Sequence, residues 1–257
     1  MDISDHARLI PISDESDGPI NVFIHGYRSD PCDEALSVMT IQGRSLALDW
    51  KAGRFKDTAL VAPISVALRA LYRVAKIRKA LAPWMLLVDA GIISVWEAAQ
   101  FHLKRKKARW IGTGLRQLIR EIPNATNHPI NLIGHSLGTE IIVSTLMKED
   151  WSANHVHDCV FLGGTASANR MGEELFSQID GCVYNGYSKD DMILKAALGA
   201  GRCVGKRELT IEGQERIVNV DCSSFLPKTP PAVIAHHTAY WSEIDEILPL
   251  VWQTMPR

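Results

Sequence analysis

The pentapeptide Gly134-His135-Ser136-Leu137-Gly138 carries the strongest chemical signal in this sequence. An apolar run rich in branched residues, Ile130-Asn131-Leu132-Ile133, precedes it, and helix-forming sequence from Leu137 to Lys148 follows. A serine on a sharp strand-to-helix turn projects its hydroxyl clear of the sheet. Glycines on either side lack the Cβ atoms that would keep strand and helix apart. The N–H of Leu137, at the helix start, points to where negative charge develops on an attacked carbonyl. The chemistry to expect is nucleophilic attack by Ser136 on an acyl group. It needs a base and a group that orients the base. Downstream, two adjacent carboxylates, Asp190 and Asp191, follow the strand-like run Cys182–Tyr187. Two adjacent histidines, His236 and His237, follow the proline-rich turn Pro227–Pro231. Each pair offers two candidates.

The glycine-bracketed serine in this setting resembles the nucleophile turn of the α/β-hydrolases, whose chain order is oxyanion loop, Ser, Asp or Glu, then His. That resemblance implies an oxyanion loop at His25-Gly26-Tyr27, just after the run Ile20–Ile24. The second oxyanion N–H would come from Gly26 or Tyr27, beside Leu137, with His25 holding the loop. Asn185-Gly186-Tyr187-Ser188-Lys189-Asp190-Asp191-Met192-Ile193-Leu194 resembles the N-x-Y-S-x-x-D-x-x-L stretch of the transmembrane and coiled-coil domain-containing hydrolases, and His237-Thr238-Ala239-Tyr240 resembles their H-x-x-Y pattern. The resemblance selects Asp191 and His237 as acid and base, leaving Asp190 a solvated charge or helix cap. It implies a lipase- or esterase-like hydrolase acting through Ser136, His237 and Asp191, with an ester or lipid substrate and no cofactor. Thioester hydrolysis, acyl transfer and an inactive interaction scaffold are the alternatives.

Positioning these residues requires strands that end on one edge. Beta-forming runs at Ile20–Ile24, Thr58–Ile64, Ile130–Gly134, Val156–Gly163, Cys182–Tyr187 and Arg216–Asp221 alternate with helical periodicity at Asp33–Lys51, Trp110–Ile122, Leu137–Lys148 and Thr238–Val251. Such alternation predicts a mostly parallel central sheet with helices on both faces, in a single α/β domain spanning 1–257. Strand carboxyl ends would share the edge where sites of such sheets lie.

Residues 65–109 are too many for a simple crossover and are expected to form a helical cap. Within them 80–103 is largely apolar, and Lys104, Arg105, Lys106, Lys107 and Arg109 follow. Asp89 near its middle argues against a spanning helix. The segment fits a lid, or a peripheral membrane contact through 80–109 in which apolar residues enter the interface and basic ones meet anionic headgroups.

Composition bounds the rest. A net charge of -1 gives no global electrostatic case for nucleic acid. Five cysteines form no C-x-x-C pair, and no metal-ligand spacing is evident. The run Met1–Pro11 lacks the apolar core of a cleavable secretory signal. The expected setting is cytoplasmic or membrane-peripheral, with signal-independent secretion left open.

Overall fold

The structure, a computed structural model, describes residues 3–13, 18–27, 41–52, 95–123, 127–148, 156–194, 203–226, 237–241 and 243–253. Seven strands form one sheet: β1 (Arg8–Ser13), β2 (Ile20–Ile24), β3 (Arg44–Asp49), β4 (Ile130–His135), β5 (Val156–Leu162), β6 (Val183–Tyr187) and β7 (Ile217–Asp221), in the order β1-β3-β2-β4-β5-β6-β7. Only β1 is antiparallel to its neighbour. The described helices are α1 (Val95–Gly112), α2 (Leu115–Arg120), α3 (Gly138–Leu146) and α4 (Ile244–Gln253), beside shorter turns.

Alternation along the strands sorts the core into two layers, because successive side chains face opposite sides of a sheet. Val22, Leu48, Leu132, Phe161 and Val183 face one layer, with Ile111 and Leu115 of the α1–α2 region and Ile141 and Ile142 of α3. Phe23, Ile133, Val160, Leu162 and Tyr184 face the other, with Ile244, Ile247 and Leu248 of α4. Strands apolar on both faces are what a parallel sheet covered on both sides demands.

The structure changes two of the expected elements and adds an edge strand. Arg44–Asp49 is a buried strand, where helical spacing predicted a helix over Asp33–Lys51. Its neighbours decide this: β3 lies between β1 and β2, and Leu46 and Leu48 serve the same core layer two residues apart. The helix expected at Trp110–Ile122 starts earlier and breaks at Thr113-Gly114, giving α1 and α2. The edge strand β1, half-buried at best, was not foreseen. The expected strand Thr58–Ile64 and residues 65–94 of the expected cap lie outside the described residues. Residues 95–109 belong to α1, which packs along α3 so closely that a Cβ on Gly112 would lie 2.5 Å from the Ile141 carbonyl oxygen.

Register brings the functional loops together. Ile24 of β2 pairs with Leu48 of β3 and Gly134 of β4, so His25-Gly26 leaves the sheet beside His135-Ser136. His135 pairs with Leu162, and Leu162 with Gly186. The carboxyl ends of β2, β4, β5 and β6 therefore meet on one edge. A seven-stranded, mostly parallel sheet with helices on both faces and a serine turn at the end of its central strand is an α/β-hydrolase fold.

Candidate active site

Ser136 has φ +51°, in the left-handed region that side-chain-bearing residues avoid. Such strain persists only where surrounding contacts over-determine the backbone. They do so here. The Ser136 N–H donates to Leu162 O at 3.0 Å. Its carbonyl oxygen is met by the Thr139 and Thr165 N–H groups, both at 3.2 Å, and by the Thr139 and Thr165 hydroxyls at 2.7 and 3.0 Å. The glycines make the turn possible. A Cβ on Gly138 would stand 2.1 Å from the Ile24 carbonyl oxygen, and one on Gly134 would stand 2.7 Å from Ile142 Cδ1 and 3.0 Å from the Gly138 carbonyl carbon.

Three side chains far apart in sequence meet at this turn. The Ser136 hydroxyl lies 2.8 Å from His237 Nε2, and His237 Nδ1 lies 2.7 Å from Asp191 Oδ2. With Nδ1–H donating to the carboxylate, Nε2 presents its lone pair to the hydroxyl proton. All three are buried, Asp191 completely. Asp191 Oδ1 also accepts the Leu194 N–H at 3.0 Å, which fixes the carboxylate plane. The structure thus brings together Ser136, Asp191 and His237. Asp190 is exposed, its N–H bonded to the Ser188 hydroxyl, and it does not reach the histidine. His236 lies outside the described residues. Asp221, at the end of β7, accepts the Ser223 N–H and takes no part.

The loop after β2 closes against Ser136. A Cβ on Gly26 would lie 2.7 Å from Ser136 Cβ, so only glycine lets that backbone approach so near. His25 Nδ1–H donates to Gly26 O at 3.0 Å, and the Trp50 indole N–H donates to His25 O at 3.0 Å. Tyr27 is half-buried, its ring edge-on to Phe101 of α1 at 5.9 Å. Leu137 stands at the N-terminus of α3, and among the described residues its N–H has no backbone acceptor. Gly26 thus backs directly onto Ser136, and Leu137 follows the serine at the start of α3.

Two features here escaped sequence reasoning. Glu140, on α3, is completely buried and held by Arg105 Nε at 2.6 Å, Arg109 Nε at 2.8 Å and Arg170 Nη1 at 2.5 Å. These ties fasten α1 and the loop after β5 to the helix that follows Ser136. Two of these arginines belong to the basic run after 103, so part of that run turns inward. The second feature is His135, whose Nε2 lies 2.8 Å from the main-chain oxygen of His237. Burial, and next the neighbouring His237 imidazole, pushes the His135 pKa down to about 3.

A pH dependence of stability follows. His135 is neutral when folded, whereas the unfolded chain protonates it near pH 6.5. Between about pH 6.5 and 3 the unfolded state binds more protons, so stability falls as pH falls, by up to about 1.4 kcal/mol per pH unit from this group. Urea unfolding of wild type and His135→Phe across that range should show a shallower acid slope in the variant. Equal slopes would contradict it.

Among the described residues no three His, Cys, Asp or Glu side chains converge as a metal site. No helix among them is long and apolar enough to cross a membrane.

Known structures and families place the chain as follows. It is similar to a predicted CIB-like hydrolase from Thermoplasma acidophilum, at 10% identity over 95% of this chain and 89% of that one, with a TM-score of 0.43. It is also similar to a dienelactone hydrolase from Anabaena variabilis ATCC 29413, at 11% identity over 98% of each chain, with a TM-score of 0.39. No curated protein matches the sequence. Residues 60–253, most of its length, match the family described as "Protein of unknown function (DUF726)", and the chain belongs to that family.

Proposed function

We propose that this protein is a serine hydrolase of carboxylic esters, acting through an acyl-enzyme. The observation that carries this reading is the buried hydrogen-bonded chain Ser136–His237–Asp191, on a strained turn beside a glycine loop. His237 takes the hydroxyl proton as Ser136 attacks the ester carbonyl. Asp191 stabilises the imidazolium that forms. The Leu137 N–H and that of Gly26 or Tyr27 receive the oxyanion. His237 then protonates the leaving alcohol. Water, deprotonated by the same imidazole, releases the acid and restores the serine.

The substrate class we favour is a long-acyl or lipid ester. Two features support it. The large hydrophobic side chains exposed among the described residues are Leu103 and Met192. Met192 follows Asp191, and Leu103 lies two residues beyond Phe101, which meets Tyr27. Basic groups neighbour Leu103 along the middle of α1. Lys104 Nζ donates to Lys51 O at 3.0 Å. Partial burial, then the Lys104 and Lys51 charges, lowers the Lys107 pKa. An exposed leucine beside crowded ammonium groups suits an anionic lipid interface. Peripheral contact through 80–109 is part of this proposal; residues 80–94 of it lie outside the described region.

A chain-length series of nitrophenyl esters beside phosphatidylcholine vesicles, with and without phosphatidylserine, tests both parts. Turnover should rise with acyl length, and vesicles containing phosphatidylserine should retain the protein more strongly. Lys104→Glu with Lys107→Glu should weaken that retention by roughly tenfold or more, at about 1 kcal/mol per basic residue near the surface. Turnover of short soluble esters alone, without vesicle binding, would remove the lipid part. No turnover of any ester would remove the hydrolase.

A further inference from the structure

We propose that His135 is a positioning residue for the base: its Nε2–H holds the main-chain carbonyl of His237, so the residue next to the nucleophile sets where the base stands. This rests on reading Ser136 and His237 as nucleophile and base. A carbonyl oxygen only accepts, so the 2.8 Å contact fixes the proton of His135 on Nε2. Nδ1 is then a bare lone pair. It is buried, has no hydrogen-bond partner among the described residues, and lies 3.2 Å from where a Gly26 Cβ would be. An acceptor stranded in this way is costly. The compensating gain is the tether made by the opposite nitrogen.

The geometry explains why a tether is placed here. His237 is joined to the end of β4 and the turn after it by two arms that spring from consecutive residues. One is the Ser136 hydroxyl on the ring, at 2.8 Å, and the other is His135 Nε2 on the main chain, at 2.8 Å. Consecutive Cα atoms are about 3.8 Å apart, so both ends of the base are referenced to one short stretch of chain. Asp191 references its third side from the loop after β6. Without the His135 arm the ring keeps its partners, but the backbone beneath it is free to shift relative to the serine.

A misplacement near 1 Å at a reacting centre can cost about a hundredfold in rate. The tether must also carry no charge. The two imidazoles are 5.1 Å apart between centroids, and a cation on His135 would oppose the imidazolium that forms on His237. The groups that face His135 are Asp191, His25, His237 and Tyr240, and burial keeps the ring neutral among them.

A purely structural role predicts something different. The His135 ring packs against Tyr240 at 6.0 Å and Trp241 at 5.8 Å. If packing were its whole contribution, His135→Phe would serve better than His135→Gln. Positioning predicts the reverse, because glutamine carries an N–H donor at the reach of Nε2 and phenylalanine carries none. The experiment compares wild type, His135→Phe, His135→Gln and His135→Asn for fluorophosphonate labelling rate, and for kcat and KM on a nitrophenyl ester, with thermal melts alongside. His135→Phe should lose roughly ten- to a hundredfold in kcat and labelling rate, with KM within about threefold. His135→Gln should recover most of that loss, and His135→Asn, whose amide is one bond shorter, should not.

Should His135→Phe fail to fold, the Gln–Asn pair decides: a gap near tenfold supports the tether, and equality overturns it. Wild-type rates in a folded His135→Phe, or Phe exceeding Gln, also overturn it. If wild type itself neither labels nor turns over, the reading of Ser136 fails instead, and the melts and labelling separate that result from failure of the tether.

Discussion

Ser136→Ala should abolish ester turnover and leave no covalent adduct with a fluorophosphonate, while the fold survives. The expected fall in kcat is at least about 10⁴-fold, since removal of a triad member leaves only the contribution of the oxyanion donors and binding. The fold should hold because the turn is fixed by main-chain and threonine contacts, none of which uses the Ser136 hydroxyl. The four hydrogen bonds to the Ser136 carbonyl and the one from its N–H persist in alanine. Alanine at φ +51° bears the same backbone strain that serine bears. The lost bond is the one from the hydroxyl to His237 Nε2, worth about 1 kcal/mol in stability. A melting temperature within a few degrees of wild type, with labelling gone, is the outcome to look for. Full labelling of the alanine variant would move the nucleophile elsewhere.

What the sequence made legible follows how local each signal is. The Ser136 turn depends on five consecutive residues and the elements on either side, so it was readable from the chain. The place of the His25-Gly26 loop was readable for the same reason, and β2–β4 register carries it to the serine. Asp191 and His237 were narrowed to adjacent pairs by position and separated by resemblance alone. What distinguishes Asp191 from Asp190 in the structure is burial and a 2.7 Å contact, both set by residues far away. Arg44–Asp49 was misread because Leu36, Met39, Leu46 and Trp50 fall at spacings a helix also satisfies, and pairing with β1 and β2 is a tertiary fact. The Glu140 cluster hid for a related reason. A run of lysines and arginines reads as a solvated face, and only the packing of α1 on α3 shows that Arg105 and Arg109 turn inward. The His135 tether spans 102 residues and ends on a main-chain atom, which no side-chain pattern announces.

Asp191→Asn should cost about 10³- to 10⁴-fold in kcat, and Asp190→Asn should stay within about twofold of wild type. The first change is nearly isosteric, so its effect isolates the proton. The carboxylate now accepts at both oxygens, from the Leu194 N–H and from His237 Nδ1–H. An asparagine must keep its oxygen toward Leu194, because turning it would set the amide NH₂ against that N–H donor. Its NH₂ then faces His237 Nδ1, which can pair only by giving up its proton. The neutral imidazole then carries hydrogen on Nε2, aimed at the Ser136 hydroxyl, and the base is in the wrong tautomer to accept a proton. The charge that would stabilise the imidazolium is gone as well. Asp190 has no such coupling, since it is exposed and its own N–H is bonded to the Ser188 hydroxyl. Steady-state turnover of the two variants, with labelling rates measured from pH 6 to 10, settles the assignment. A variant ranking opposite to this, with Asp190→Asn the slower enzyme, would transfer the orienting role one residue back. Comparable small losses in both would mean that His237 is oriented by its other tethers, the Ser136 hydroxyl and the His135 ring.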